Sequence, residues 1–256
     1  MKKIFYILIF LLLLSSCHQV TPNPFYNIIK DYPHDSKRLT EYEKAYQETK
    51  NIIYAINKVN YPNFLTPNSN NFLAMKINNI LFVNTNYILK STYVPKTLVR
   101  IDNVDYIKRK NQVMQLDKET LNAYQELFKA SLLDNLNLII YSAYRSYEYQ
   151  EELYNKEPND YVAKPGASEH QTGLAIDIGT SNTGLTAYFD NTLESIWLEK
   201  NAYKYGFILR YPKDKENITG YPYESWHYRY VGKEIAEIIY TNNLTLEEYF
   251  YQYIIL

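Results

Sequence analysis

Only four histidines occur in this chain of 256 residues, and two of them stand near acids in a pattern that could serve a metal ion. His170 precedes Asp177 in "PGASEHQTGLAIDIG", a stretch holding three of the chain's seven glycines. His227 follows Glu224 by three positions in "YESWHYRYVG". A hydrolytic metal centre needs three ligands drawn from His, Asp, Glu or Cys, an open position for water, and a base beside that water. Two neutral imidazoles and one carboxylate would leave a divalent ion with a net positive charge, so it would stay a strong Lewis acid. Spacing alone does not separate this reading from two ordinary polar loops. His18 and His34 lie in a polar, proline-containing stretch and read as solvated.

These side chains need elements to position them. In "GLAIDIG", Leu174, Ile176 and Ile178 share one face of a strand, and Ala175, Asp177 and Gly179 share the other. The carboxylate thus leaves the apolar side among small neighbours. By the same period His227 and Arg229 share one strand face, and Trp226, Tyr228 and Tyr230 form an opposite face that reads as core. Gly166 and Gly173 would turn the backbone on either side of His170, and Gly179 would keep space clear beside Asp177. Helical periodicity predicts one helix over Lys37–Asn60, another after a cap at Asp117, and another after a cap at Ser146. Further helices are predicted in "TLESIWLEKNAYKYG", ending at Gly206, in "GKEIAEIIYTNN" and in "LTLEEYFYQYIIL". Strands fit "LNLIIYSAY", "FILRYP" and "WHYRYV". Without regular βαβ spacing, the mixture predicts an α+β fold, an antiparallel sheet flanked by helices.

A formal net charge of −1 gives no basic excess for nucleic acid. At the N-terminus, Lys2 and Lys3 precede an apolar run from Ile4 to Leu14. That run is shorter than the roughly 18 to 20 residues needed to span a bilayer, so residues 1–16 read as a signal peptide. Cys17, the single cysteine, follows "LSS" and resembles the lipobox of bacterial lipoproteins. The resemblance implies a diacylated Cys17 that anchors the protein to the outer side of the cell membrane. A lone cysteine excludes an internal disulfide.

The segments "SAYRSYEYQ", "PGASEHQTGLAIDIG", "GFILRYP" and "TGYPYESWHYRYVG" occur in that order. Together they resemble the VanY-like zinc D-alanyl-D-alanine carboxypeptidases, which act on peptidoglycan stem peptides and are similar in core fold to the Hedgehog signalling domain. The likeness runs from about Ile80 to about Thr241. The family's usual "SGYRS" reads "SAYRS" here, and Ala143 is still small. The resemblance implies one zinc ion held by His170, Asp177 and His227. It implies Glu224 as the base that takes a proton from water and returns one to the leaving amine, as amide cleavage requires. Arg145 is implied in the cleft, on the scissile carbonyl or the substrate carboxylate, tasks that suit a planar guanidinium; the alternative is a surface pair with Glu148. Ser168 and Gln150 are candidates to hydrogen-bond substrate, against a loop-shaping role and an exposed helical position.

The implied activity is removal of the C-terminal D-alanine from stem peptides by a membrane-anchored monomer. Its alternatives are an L,D-carboxypeptidase trimming tetrapeptide stems, a related endopeptidase, or a non-catalytic wall-binding module. The last would lack the base or a ligand, and all four residues are present. On this reading residues 17–36 are a tether, 37–75 a helical N-terminal segment, and 76–256 the carboxypeptidase domain.

Overall fold

A computed structural model of the chain describes residues 23–62, 64, 72–77, 79–107 and 113–255. The signal peptide, Cys17 and His18 lie outside the described residues.

Where periodicity predicts one helix over Lys37–Asn60, two form: α1 (Leu39–Thr49) and α2 (Ile52–Asn60). Lys50 turns left-handed at φ +57°, and the Asn51 side chain accepts from the amide of Tyr54 to start α2. The pattern runs through this break because both helices present apolar residues to one cluster: Tyr42 and Ala45 from α1, and Ala55, Ile56 and Val59 from α2. The predicted tether differs as well. Its described part, residues 23–36, folds onto the helix pair and buries Phe25 and Ile29 in the same cluster. His34 is half-buried, with its ring against Tyr26 and Tyr42, and is not a solvated loop residue. Prolines and polar neighbours hid two apolar anchors that need only a complementary floor.

The helix α3 (Lys118–Leu133) starts where Asp117 accepts from the amides of Glu119 and Thr120. Strand β1 (Ile139–Ser142) leads to α4 (Tyr147–Lys156), capped by Ser146. The chain continues through β2 (Ala175–Gly179), α5 (Leu193–Asn201), β3 (Phe207–Leu209), β4 (His227–Tyr230), α6 (Lys233–Thr241) and α7 (Leu246–Tyr253). The four strands form one sheet in the order β1-β2-β4-β3, antiparallel at every step. The predicted antiparallel sheet flanked by helices is therefore present. Short two-stranded pairs stand beside it, Met75–Ile77 with Ile80–Phe82 and Leu98–Arg100 with Gln115–Asp117.

One face of the sheet makes the core. Ile140, Ile176, Ile178 and Tyr228 pack against Leu121, Tyr124, Leu127 and Phe128 of α3. Burying an isoleucine contributes about 1.5–3 kcal/mol, so Ile176 and Ile178 together fix which way β2 faces. Asp177 must then point to the opposite face. A second cluster joins Phe64, Ile80 and Phe82 to α6 and α7. The last helix also meets α2, where Asn57 Nδ2 donates to the carbonyl oxygens of Tyr251 (3.1 Å) and Ile254 (2.7 Å). No helix among the described residues is long and apolar enough to cross a membrane.

Candidate metal centre

The cross-strand register places Asp177 of β2 directly opposite His227 of β4. A bulge in β1 brings Ser142 alongside Asp177 as well. His170 arrives from a short 3-10 turn, Glu169–Thr172, that ends at Gly173 with φ +72°. Gly166 (φ +83°) makes the turn before it, as the sequence predicts. Gly179 serves differently from expectation. A Cβ there would lie 2.5 Å from the carbonyl oxygen of Gly184, so this glycine permits a close approach of two backbones and does not clear space beside Asp177.

One ligand atom each from His170, Asp177 and His227 lies within 4.8 Å of the other two, and all three residues are buried. His170 Nδ1 is 2.7 Å from the carbonyl oxygen of Ala143, to which it donates, leaving Nε2 as the ligand nitrogen. That Nε2 lies 3.2 Å from Asp177 Oδ2 and, although buried, has no well-aligned hydrogen-bond partner. His227 presents its other nitrogen: Nδ1 is 2.9 Å from Asp177 Oδ1. A buried, unpartnered imidazole nitrogen converging with a carboxylate and a second imidazole fits a divalent cation that accepts N and O donors.

The predicted turn in "YESWH" is present, with the His227 amide donating to the carbonyl of Glu224 at 3.2 Å. It returns the Glu224 carboxylate to within 3.9 Å of His227 Nδ1. Burial, reinforced by repulsion from Asp177, pushes the Glu224 carboxyl up to about 7 against the pull of His227 and Arg145. Burial also raises Asp177, but the two imidazoles outweigh it and hold that carboxyl well below its usual range. Burial and the nearby Arg145 charge push His170 down to about 4. Burial lowers His227 too, yet its contacts with Asp177 and Glu169 prevail and raise it to about 9.

Arg145 follows β1, and its charge acts on both His170 and Glu224. Burial lowers its pKa, while Asp177 and Glu224 oppose that shift. Its Nε is buried without a hydrogen-bond partner. With Asp177, Tyr149, Leu153 and Leu185 it lines a cavity of about 150 Å³, and among the described residues it makes no ion pair with Glu148. Ser168 is buried just before the His170 turn. Gln150 is buried rather than exposed: its Nε2 donates to the carbonyl of Ala163 at 2.7 Å, and its Oε1 has no partner. Tyr228 is core, with Trp226 and Tyr230 packed at the edge.

Sequence reasoning passed over Glu169, Tyr211, Arg210 and Glu247. The Tyr211 ring stacks on His227 at 4.8 Å between centroids. Glu169 stands behind His227, with Oε2 3.6 Å from Nε2. The one available signal was "FILRYP", a motif whose arginine and tyrosine had no assigned role.

The family description "VanY: D-alanyl-D-alanine carboxypeptidase" matches residues 113–233. The chain is 44% identical over 178 residues to YodJ of Bacillus subtilis (strain 168), a match covering 66% of this chain and 65% of that protein. It thus spans slightly less than two thirds of that relative. Among solved structures, the LdcB LD-carboxypeptidase is similar at TM-score 0.64 and 41% identity, over 70% of this chain and 94% of that one. A variant of the vancomycin-resistance D,D-pentapeptidase VanY, in complex with Zn(II), is similar at TM-score 0.56 and 34% identity, over 66% and 96%.

Proposed function

The chain belongs to the VanY family of D-alanyl-D-alanine carboxypeptidases, and from that premise we propose that it is a zinc carboxypeptidase removing the C-terminal D-alanine from peptidoglycan stem peptides. The convergence of His170, Asp177 and His227 beside Glu224 carries this reading. A zinc ion held by His170 Nε2, Asp177 and His227 Nδ1 would polarise the scissile carbonyl and lower the pKa of water. Glu224 then takes a proton from the attacking water and passes it to the departing amide nitrogen. Its buried carboxylate, within 3.9 Å of His227 Nδ1, stands close enough to the ligand set to make both transfers. Arg145 places a partly buried guanidinium at the cleft, where it steadies charge on the carbonyl oxygen or forks onto the terminal carboxylate of the peptide.

A second reading changes the bond and keeps the machinery. The similarity to an LD-carboxypeptidase favours cleavage of tetrapeptide stems to tripeptides. D-alanine release from pentapeptide and tetrapeptide stems, measured with zinc and after chelation, separates the two. Release from pentapeptide that stops on chelation and returns with zinc supports the first reading, and faster release from tetrapeptide supports the second. Release that survives complete metal removal, or none from either peptide with zinc bound, refutes both.

The same proposal places a monomeric enzyme outside the cytoplasm, anchored through Cys17. Lipid labelling of the wild type that is lost in Cys17→Ser supports the anchor; an unlabelled, freely secreted wild type refutes it.

A further inference from the structure

Four charged side chains are sealed inside the protein behind the metal centre: Glu169, Arg210, Arg229 and Glu247 are each no more than 1% exposed. They come from four places in the chain, the His170 turn, the end of β3, β4 and α7. Arg210 donates to Glu169 Oε1 through Nε (2.9 Å) and grips both oxygens of Glu247 through Nη1 (2.8 Å) and Nη2 (2.6 Å). Arg229 donates to the same Glu169 oxygen through Nη1 at 2.7 Å and to the carbonyl of Leu81 through Nη2 at 2.7 Å. Asn84 Nδ2 supports Glu247 at 3.1 Å. Two acids and two bases balance, so the cluster is neutral, and removing one member would strand a buried charge.

Charge balance alone does not explain how Glu169 is held. Both arginines take its Oε1, and Oε2 is left buried with no hydrogen-bond partner. The atom it faces is His227 Nε2, also buried and also without a partner, 3.6 Å away. A cluster serving only to neutralise itself would have shared its donors between the two oxygens. Here one oxygen is fixed by arginines and the other is reserved for the imidazole edge opposite Asp177. The ring has little freedom to turn away, because Tyr211 covers its face and Arg210 in turn lies 5.1 Å over the Tyr211 ring.

Resting on the zinc reading above, we infer that Glu169, fixed by Arg210 and Arg229 and tied through Arg210 to Glu247 of the last helix, is a positioning residue that holds His227 with Nδ1 facing the metal. A carboxylate behind a ligand histidine fixes the tautomer and the ring angle, and losing one typically weakens metal binding by about 10–100-fold. Glu247 touches no ligand and acts only through Arg210. It also lies outside the span of residues 113–233 that defines the family match.

The test is zinc affinity by chelator competition in the full chain for wild type, Glu169→Gln and Glu247→Gln, with circular dichroism as the check on folding. Histidine ring NMR on the zinc-loaded wild type accompanies it. The expected results are a loss of about 10–100-fold in Glu169→Gln, a smaller loss in Glu247→Gln, and a wild-type His227 ring protonated at Nε2 with zinc on Nδ1. The His227 Nε2–H resonance should move in both variants. A folded Glu169→Gln that binds zinc within twofold of wild type overturns the inference, as does zinc on Nε2 of His227 in the wild type. If Glu169→Gln fails to fold, Glu247→Gln and the wild-type spectrum decide, and unchanged affinity and resonance in Glu247→Gln overturn it. A wild type that binds no zinc sinks the functional reading instead, which is a separate outcome.

Discussion

Glu224 and Arg145 each feel the other's charge beside Asp177, but the proposed chemistry asks different things of them. Glu224 must exchange a proton, which its amide analogue cannot do. Glu224→Gln keeps the shape, so zinc content should be unchanged while kcat falls by about 10²–10⁴-fold; metal analysis and steady-state kinetics on one preparation check this. Arg145 must offer a planar fork in a place where burial already disfavours its charge. Arg145→Lys keeps a cation but loses the fork, and the expected loss in kcat/KM is on the order of 10². The split between kcat and KM then reports the partner. A fall in kcat points to the reacting carbonyl, whereas a rise in KM with kcat intact points to the terminal carboxylate.

At the scale of elements, β2 and its loops decide whether those residues meet. Gly179 ends β2 against Gly184 and the Tyr141 ring, where an added Cβ would lie 2.5 Å and 3.0 Å from its neighbours. Gly179→Ala should therefore cost about 1–3 kcal/mol in urea unfolding through overpacking, with the m-value unchanged. Much of this layer was legible in the sequence because it is local. The caps at Asp117 and Ser146 act within three residues, and the alternation in "GLAIDIG" sets the face of Asp177 without help from elsewhere. The break at Lys50 was not legible, because both flanking helices bury residues of the same kind and nothing in the pattern marks a left-handed lysine. The role of Glu169 was hidden for a different reason. Its partners Arg210 and Arg229 lie 41 and 60 residues away, and beside a histidine in a turn it reads as an ordinary solvated acid.

At the scale of the whole molecule, segments about 200 residues apart close on one another. The helix pair α1–α2, which could have been a free stalk, is joined to α7 through Asn57, through Asn51 Nδ2 on the carbonyl of Gln252 (3.0 Å), and through the Tyr54–Tyr251 ring contact. Asn57→Ala should leave the Tyr251 and Ile254 carbonyls short of a buried donor, at a cost of about 1–3 kcal/mol. Earlier proteolytic cleavage near the C-terminus would accompany that loss, and equal stability and protease resistance in the variant would refute it. The helix α7 has a consequence in time as well as in space. The ribosome delivers every candidate ligand, Glu169 and both arginines before it delivers Glu247, so the cluster carries one unbalanced positive charge until α7 emerges. Chains stopped at Leu244 should accordingly stay protease-sensitive.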